Sequence, residues 1–261
     1  MFKGIVRCLE MEKNMLDKLS IGSWITLAHP AIAEIMARAG FDWLAVDLEH
    51  TSITIREAEE LIRVIELSGV KPLVRLTSNN KDLIKRVMDA GSHGVIVPMV
   101  NSAEQAKQAV EAVKYPPFGK RGVGLARAQG YGAKFKEYMN WQKKHTIVIV
   151  QIEHIEAVKH LEEILAVPGV DGYIIGPYDL TGSMGIPGEF EHPDFLKVME
   201  KVNAVIAKSN IPGGTHIIEP DPEKLQECID KGYRFIAYSV DIRMLDVSCR
   251  KGLESLKKVE R

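Results

Sequence analysis

The stretch that decides the fold is Phe41-Asp42-Trp43-Leu44-Ala45-Val46-Asp47-Leu48-Glu49-His50. Residues 43–48 form a short, almost wholly apolar run of the length of one buried strand, with a single acid near its end. Downstream, Ile55, Ala58, Leu61, Ile62 and Ile65 recur at helical spacing, while Arg56, Glu60 and Arg63 take the opposite face. Ser68-Gly69 then offers a helix stop, because glycine accepts the left-handed conformation that ends many helices. The next apolar run, residues 72–76, follows at once. Strand, helix, glycine stop and strand make one βα unit.

That unit repeats in both directions. Further strand-like runs fall at residues 23–28, 94–98, 147–152, 172–175, 211–214 and 235–239, and helical spacing covers residues 80–90 and 104–113. Ala39-Gly40, Ala90-Gly91, Pro168-Gly169 and Lys231-Gly232 repeat the stop signal. Eight strands alternating with helices in 261 residues predict an α/β fold, a single (β/α)8 TIM barrel over residues 22–261. Residues 1–21 are a charged N-terminal extension. A doubly wound sheet is the competing architecture, but the first strand–helix turn carries no GxGxxG fingerprint. The glycine cluster at residues 119–124 fits neither that fingerprint nor a Walker loop. It lies in the longest irregular stretch, residues 115–138, which has the length of a lid or binding loop.

Composition narrows the function. With 34 Lys+Arg against 35 Asp+Glu the chain has a formal charge of -1, without the basic surplus that nucleic-acid binding requires. The apolar stretches fall far short of the roughly 20 residues of a spanning helix, so no membrane partner is expected. Glu10, Glu12, Lys13, Asp17 and Lys18 interrupt any signal-peptide core. Cys8, Cys228 and Cys249 are widely spaced without CxxC, which fits reduced thiols and a cytoplasmic location.

Active sites of this fold lie on the loops that follow the carboxyl ends of the strands. Polar residues gather there: Asp47-Leu48-Glu49-His50, Arg75, Gln151-Ile152-Glu153 and Gly176-Pro177-Tyr178-Asp179. Glu153 and Asp179, at the ends of neighbouring strands, are either solvated loop acids or oxygen ligands for a hard divalent ion. Arg75 is suited to a developing oxyanion or to a rim salt bridge. His50, with Asp47 three residues before it, is a general base or an incidental loop histidine. The other seven histidines are read as incidental. No strand holds a lysine in its apolar interior, which disfavours Schiff-base chemistry; Lys71 only precedes the third strand.

Residues 41–50 resemble a signature of the HpcH/HpaI aldolase family, the metal-dependent class II pyruvate aldolases. Val97-Pro98-Met99-Val100, residues 115–124, Ala126-Arg127-Ala128, Gln151-Ile152-Glu153, Gly169-Val170-Asp171-Gly172 and residues 175–180 resemble that family in order and spacing. The resemblance runs from about Gly22 to about Leu256. It implies a lyase that reversibly cleaves a 4-hydroxy-2-oxo acid, a 2-keto-3-deoxy sugar acid or related dicarboxylate, to pyruvate and an aldehyde through a metal-stabilised enolate. It implies Glu153 and Asp179 as ligands of Mg²⁺, Mn²⁺ or Co²⁺, and Arg75 against the keto oxygen with Gln151 orienting it. It also implies His50 backed by Asp47 as acid/base, and the backbone of Gly176, Pro177, Tyr178 and Asp179 around the pyruvate carboxylate. A homo-oligomer is implied, a hexamer built as a trimer of dimers with the C-terminal helix packed on a neighbouring subunit.

Two positions depart from the family pattern. Tyr178 stands where a small residue is common, and Tyr238-Ser239-Val240-Asp241 replaces a Val-Gly-Ser-Asp type of segment. Two other functions compete with the aldolase. A citrate-synthase-like condensation of an enolate with oxaloacetate would use Lys120, Arg121 and Arg127 to face the acceptor. A non-catalytic barrel would bind a small carboxylate without needing the acid/base pair.

Overall fold

A computed structural model describes Leu16 and residues 18–254. Eight parallel strands close into a barrel in chain order: β1 (Ser20–Ile25), β2 (Trp43–Asp47), β3 (Lys71–Arg75), β4 (Gly94–Val97), β5 (Ile147–Ile152), β6 (Gly172–Ile175), β7 (Gly213–Ile217) and β8 (Phe235–Val240). Helices ring it: α1 (Pro30–Arg38), α2 (Ile55–Leu67), α3 (Lys81–Asp89), α4 (Ala103–Val113), α5 (Phe135–His145), α6 (Ile155–Lys159), α7 (Leu161–Leu165), α8 (Pro177–Ser183), α9 (Pro193–Ile206), α10 (Pro222–Asp230) and α11 (Asp241–Glu254). The expected TIM barrel is therefore the observed fold. Glycines 40, 69, 91, 169 and 232 all take φ between 84° and 103°, as the stop signals require.

Alternation along each strand builds two cores. Outward side chains of the strands meet the helices in a large apolar shell. Inward ones form a second cluster of Trp24, Trp43, Ala45, Leu73, Ile96, Ile149, Ile174, Phe235 and Ala237. Trp43 stacks on Phe235 at 4.3 Å, and only a glycine fits at position 22, where a Cβ would lie 2.0 Å from the Trp43 ring. Leu16 joins this inner cluster, so part of the segment read as an extension contributes to the barrel; residues 1–15 and 17 lie outside the described residues.

Two strands are displaced from their expected positions. β1 begins at Ser20 rather than 23, and β7 begins at Gly213 rather than 211. In β7, Tyr173 and Phe235 occupy the space that side chains at Gly213 and Gly214 would need. The shift places His216 on a strand.

The long connection is not a lid over this chain's strand ends. Helix α4 runs back from the carboxyl ends of the strands, so the segment after it lies at the amino-terminal face. Its bonds agree: Arg127 reaches the Ala90 carbonyl at the end of α3 and pairs with Glu66 in the last turn of α2. Arg121 is buried over Tyr115, 4.0 Å from the ring centroid, and donates to the Tyr138 hydroxyl. Lys120 pairs with Glu111 of α4.

Candidate active site

The inward layer nearest the carboxyl ends of the strands is polar. Asp47 and Arg75 are register partners on β2 and β3. Arg75 donates from Nε to Asp47 Oδ1 at 2.8 Å and from Nη2 to Oδ2 at 2.7 Å, a two-pronged ion pair. Asp47 Oδ1 also accepts from the backbone N–H of Glu49 at 2.9 Å and of His50 at 3.5 Å. The guanidinium lies 4.5 Å over the Trp24 ring, which supports its second face.

This arrangement differs from the expected Asp47–His50 dyad. Adjacency in sequence suggests that partner, but barrel register puts Arg75 directly opposite Asp47, and the charge pair takes the carboxylate. The His50 imidazole is largely exposed, with Nε2 3.8 Å from Glu49 Oε2.

Glu153, just past β5, is 3% exposed. Its Oε1 accepts from the Met99 N–H at 2.7 Å and its Oε2 from Gln151 Nε2 at 2.7 Å. Met99 holds a left-handed backbone, φ 53°, in presenting that N–H; such a conformation costs a non-glycine residue about 1–3 kcal/mol. Asp179 lies in the first turn of α8, across Gly176 from Glu153. A Cβ on Gly176 would stand 2.9 Å from Glu153 Cβ, 3.0 Å from its Oε2 and 3.9 Å from Asp179 Oδ2. The glycine thus keeps a gap between two carboxylates. Burial, and after it the charge of Asp179, pushes the Glu153 pKa up, against the Met99 hydrogen bond that lowers it.

Two oxygen donors of like charge facing one gap fit a hard divalent cation that keeps waters or substrate oxygens for its remaining positions. Among the described residues no cluster of three or more His, Cys, Asp and Glu forms an all-protein metal cage. Tyr178 turns aside: it is exposed and meets Phe190 edge-on at 4.9 Å. Pro177 starts α8, leaving the N–H groups of Tyr178 and Asp179 without intrahelical partners. Lys71 begins β3, at the opposite end of the barrel from Arg75.

A family profile described as HpcH/HpaI aldolase/citrate lyase matches residues 20–246. The chain belongs to the HpcH/HpaI aldolase/citrate lyase family. The 2-dehydro-3,6-dideoxy-6-sulfogluconate aldolase of Pseudomonas putida is 39% identical over 91% of this chain and 92% of its own. The hydroxypyruvate/pyruvate aldolase of Roseobacter denitrificans is 38% identical, covering 86% and 87%. A crystal structure of a family protein from Burkholderia cenocepacia superposes with a TM-score of 0.85 at 31% identity, over 96% of this chain and 97% of that one.

Within this HpcH/HpaI barrel, sequence reading gave no role to Glu49, Met99, Trp24 or His216. Glu49 has a local signal, sitting between Asp47 and His50. Its pKa is pushed up to about 7, first by burial, with the Arg75 charge opposing and Glu153, Asp47 and Asp179 adding to the rise. Arg75 Nε is 3.5 Å away. A folded pKa above the unfolded value means the folded state holds its proton more tightly, so stability falls as pH rises from about 4.5 through 7. Glu49→Gln removes that penalty. It is expected to raise unfolding free energy at pH 8 by up to about 3 kcal/mol and to change little at pH 5, measured by urea denaturation. An equal effect at both pH values would contradict the assignment.

Three of the other histidines have a structural part. His29, His154 and His192 cap helices through side chains that accept backbone N–H bonds. No helix among the described residues is long and apolar enough to cross a membrane.

Proposed function

We propose that this chain is a class II aldolase that reversibly cleaves a 4-hydroxy-2-oxo acid, of the 2-keto-3-deoxy sugar acid type, to pyruvate and an aldehyde. The observation that carries this reading is the gap between Glu153 and Asp179, set beside a guanidinium held rigid by Asp47 and Trp24. Glu153 and Asp179 would hold Mg²⁺, Mn²⁺ or Co²⁺, and the bound ion supplies positive charge that offsets the oxyanion of an enolate. Arg75 offers fixed donors to the same developing charge. Gln151, with its Oε1 buried and unpartnered, orients the keto acid and steadies Glu153. The free N–H groups of Tyr178 and Asp179 receive the substrate carboxylate. His50, exposed at the rim, exchanges a proton with the aldol hydroxyl, with Glu49 Oε2 3.8 Å from its Nε2.

The test is exchange of pyruvate methyl protons in deuterated buffer with Mg²⁺ or Mn²⁺. Exchange is expected with metal and is expected to vanish on chelation; undiminished turnover of metal-free protein would exclude the mechanism. The citrate-synthase-like alternative loses its acceptor arginines within this chain, because Arg121 and Arg127 are anchored at the amino-terminal face. A homo-oligomer is also part of the proposal. Helix α11 leaves Ile242, Leu245 and Leu253 exposed, an apolar face that a neighbouring subunit would cover.

A further inference from the structure

His216 closes β7 on the inward side of the barrel. Gly214, two residues earlier, faces the interior, where a Cβ would meet Ile174 Cγ1 at 2.7 Å and Phe235 Cδ1 at 2.9 Å. Strand alternation turns His216 the same way, into the polar layer at the carboxyl ends. Its imidazole meets the Trp24 ring edge-on at 5.7 Å, and Trp24 carries the Arg75 guanidinium on its face. The histidine is therefore one ring away from the proposed enolate donor.

Its hydrogen bonding is half complete. One ring nitrogen donates to the Ser239 carbonyl. Ser239 takes a left-handed backbone, φ 55°, at the position where the family pattern carries glycine, and its hydroxyl donates to the Ile218 carbonyl at 2.8 Å. The other nitrogen, Nε2, is buried and has no partner. Burial first, then the Arg75 charge, holds the imidazole pKa down to about 4, so the ring is neutral at pH 7. With the proton on the nitrogen that faces Ser239, Nε2 presents a lone pair. On the adjoining ring, the Trp24 Nε1–H is likewise buried without a partner. An unpartnered acceptor and an unpartnered donor on touching rings are complementary to a hydroxyl group, which donates one hydrogen bond and accepts another.

We propose that His216 Nε2, together with the Trp24 Nε1–H, receives a hydroxyl group of the substrate and makes this chain selective for hydroxylated substrates over their deoxy counterparts. His216 is thus a specificity-determining residue, and the inference rests on the aldolase reading. The hydroxyl belongs either to the keto acid or to the aldehyde, and both present the same chemistry. A site built to bond a hydroxyl discriminates against analogues that lack it, because its buried polar atoms are then left unpaired.

The experiment measures kcat/KM for C–C bond formation in two arms, with Mg²⁺ present throughout. One arm compares hydroxypyruvate with pyruvate against acetaldehyde; the other compares glycolaldehyde with acetaldehyde against pyruvate. Wild-type protein is expected to favour the hydroxylated member of one arm by about 10-fold or more, and that arm identifies the source. His216→Leu is expected to bring the ratio close to one, through loss on the hydroxylated substrate. His216→Gln, whose Oε1 can stand near the Nε2 position, is expected to restore part of it. Absence of preference in both wild-type arms overturns the proposal, as does equal loss on both members in His216→Leu. Proton exchange into pyruvate separates the two failures. Exchange without hydroxyl preference removes the His216 assignment alone, whereas no exchange removes the aldolase reading and this inference with it.

Discussion

Arg75→Ala is expected to lower kcat by about 100- to 1000-fold while KM changes far less. Negative charge grows on the carbonyl oxygen as the C–C bond breaks, so a donor aimed at that oxygen does most in the transition state. Arg75 suits this role because its tip is already fixed: two bonds to Asp47 and the Trp24 face leave little to reorganise. The same contacts complicate the variant. Asp47 is 1% exposed, and removing its cation strands a buried carboxylate at a cost of about 3–5 kcal/mol. Stability loss and rate loss must therefore be separated. The double variant Asp47→Asn/Arg75→Met removes both charges together and keeps an Oδ1 for the Glu49 N–H. It is expected to recover most of the stability in urea denaturation and none of the rate. An unchanged rate in folded Arg75→Ala protein would remove Arg75 from the oxyanion role.

The barrel was legible in sequence because its signals are local. Apolar runs, helical stripes and glycine stops each need only a dozen residues, and their polar ends name Asp47, Arg75, Gln151 and Glu153 directly. What sequence does not carry is partnership across strands. Asp47 lies three residues from His50 in the chain and faces Arg75 only after β2 and β3 find their register. Likewise, the Met99 N–H reaches Glu153 only through a left-handed residue that no local pattern announces. His216 was passed over for a different reason. The strand-like run of residues 211–214 stops two residues short of it, whereas the strand itself is Gly213–Ile217, with Tyr173 and Phe235 filling the space beside the two glycines. The long basic loop misled by its length; its place after a helix, not after a strand, sends it to the face remote from the site.

Glu153→Gln is expected to abolish metal-dependent activity and, with it, the response of stability to metal and pH. Both carboxylate oxygens of Glu153 already accept bonds, from the Met99 N–H and from Gln151, so an amide would set its NH2 against a donor. Packing survives the isosteric change, but one hydrogen bond and one anionic ligand are lost. The pH argument gives the sign. Burial and Asp179 raise the Glu153 pKa above its ordinary value, so metal-free protein loses stability as pH climbs from that value through the raised one. A divalent cation competes with the proton and relieves the repulsion, so its stabilisation should grow with pH. At 100 times its dissociation constant the ion adds about 2.7 kcal/mol. Wild-type Tm without metal is expected to fall as pH rises above the ordinary carboxylate range, and Mg²⁺ or Mn²⁺ is expected to reverse most of that fall. Glu153→Gln should show a smaller fall and no Tm increase with either ion. Should Mg²⁺ raise the Tm of Glu153→Gln as much as that of wild type, Glu153 would not be a ligand. Asp179→Asn sharpens the result. Removing that charge lowers the Glu153 pKa, so the metal-free pH dependence weakens even though Glu153 itself is intact; because Asp179 also raises the Glu49 pKa, the comparison is made in the Glu49→Gln background.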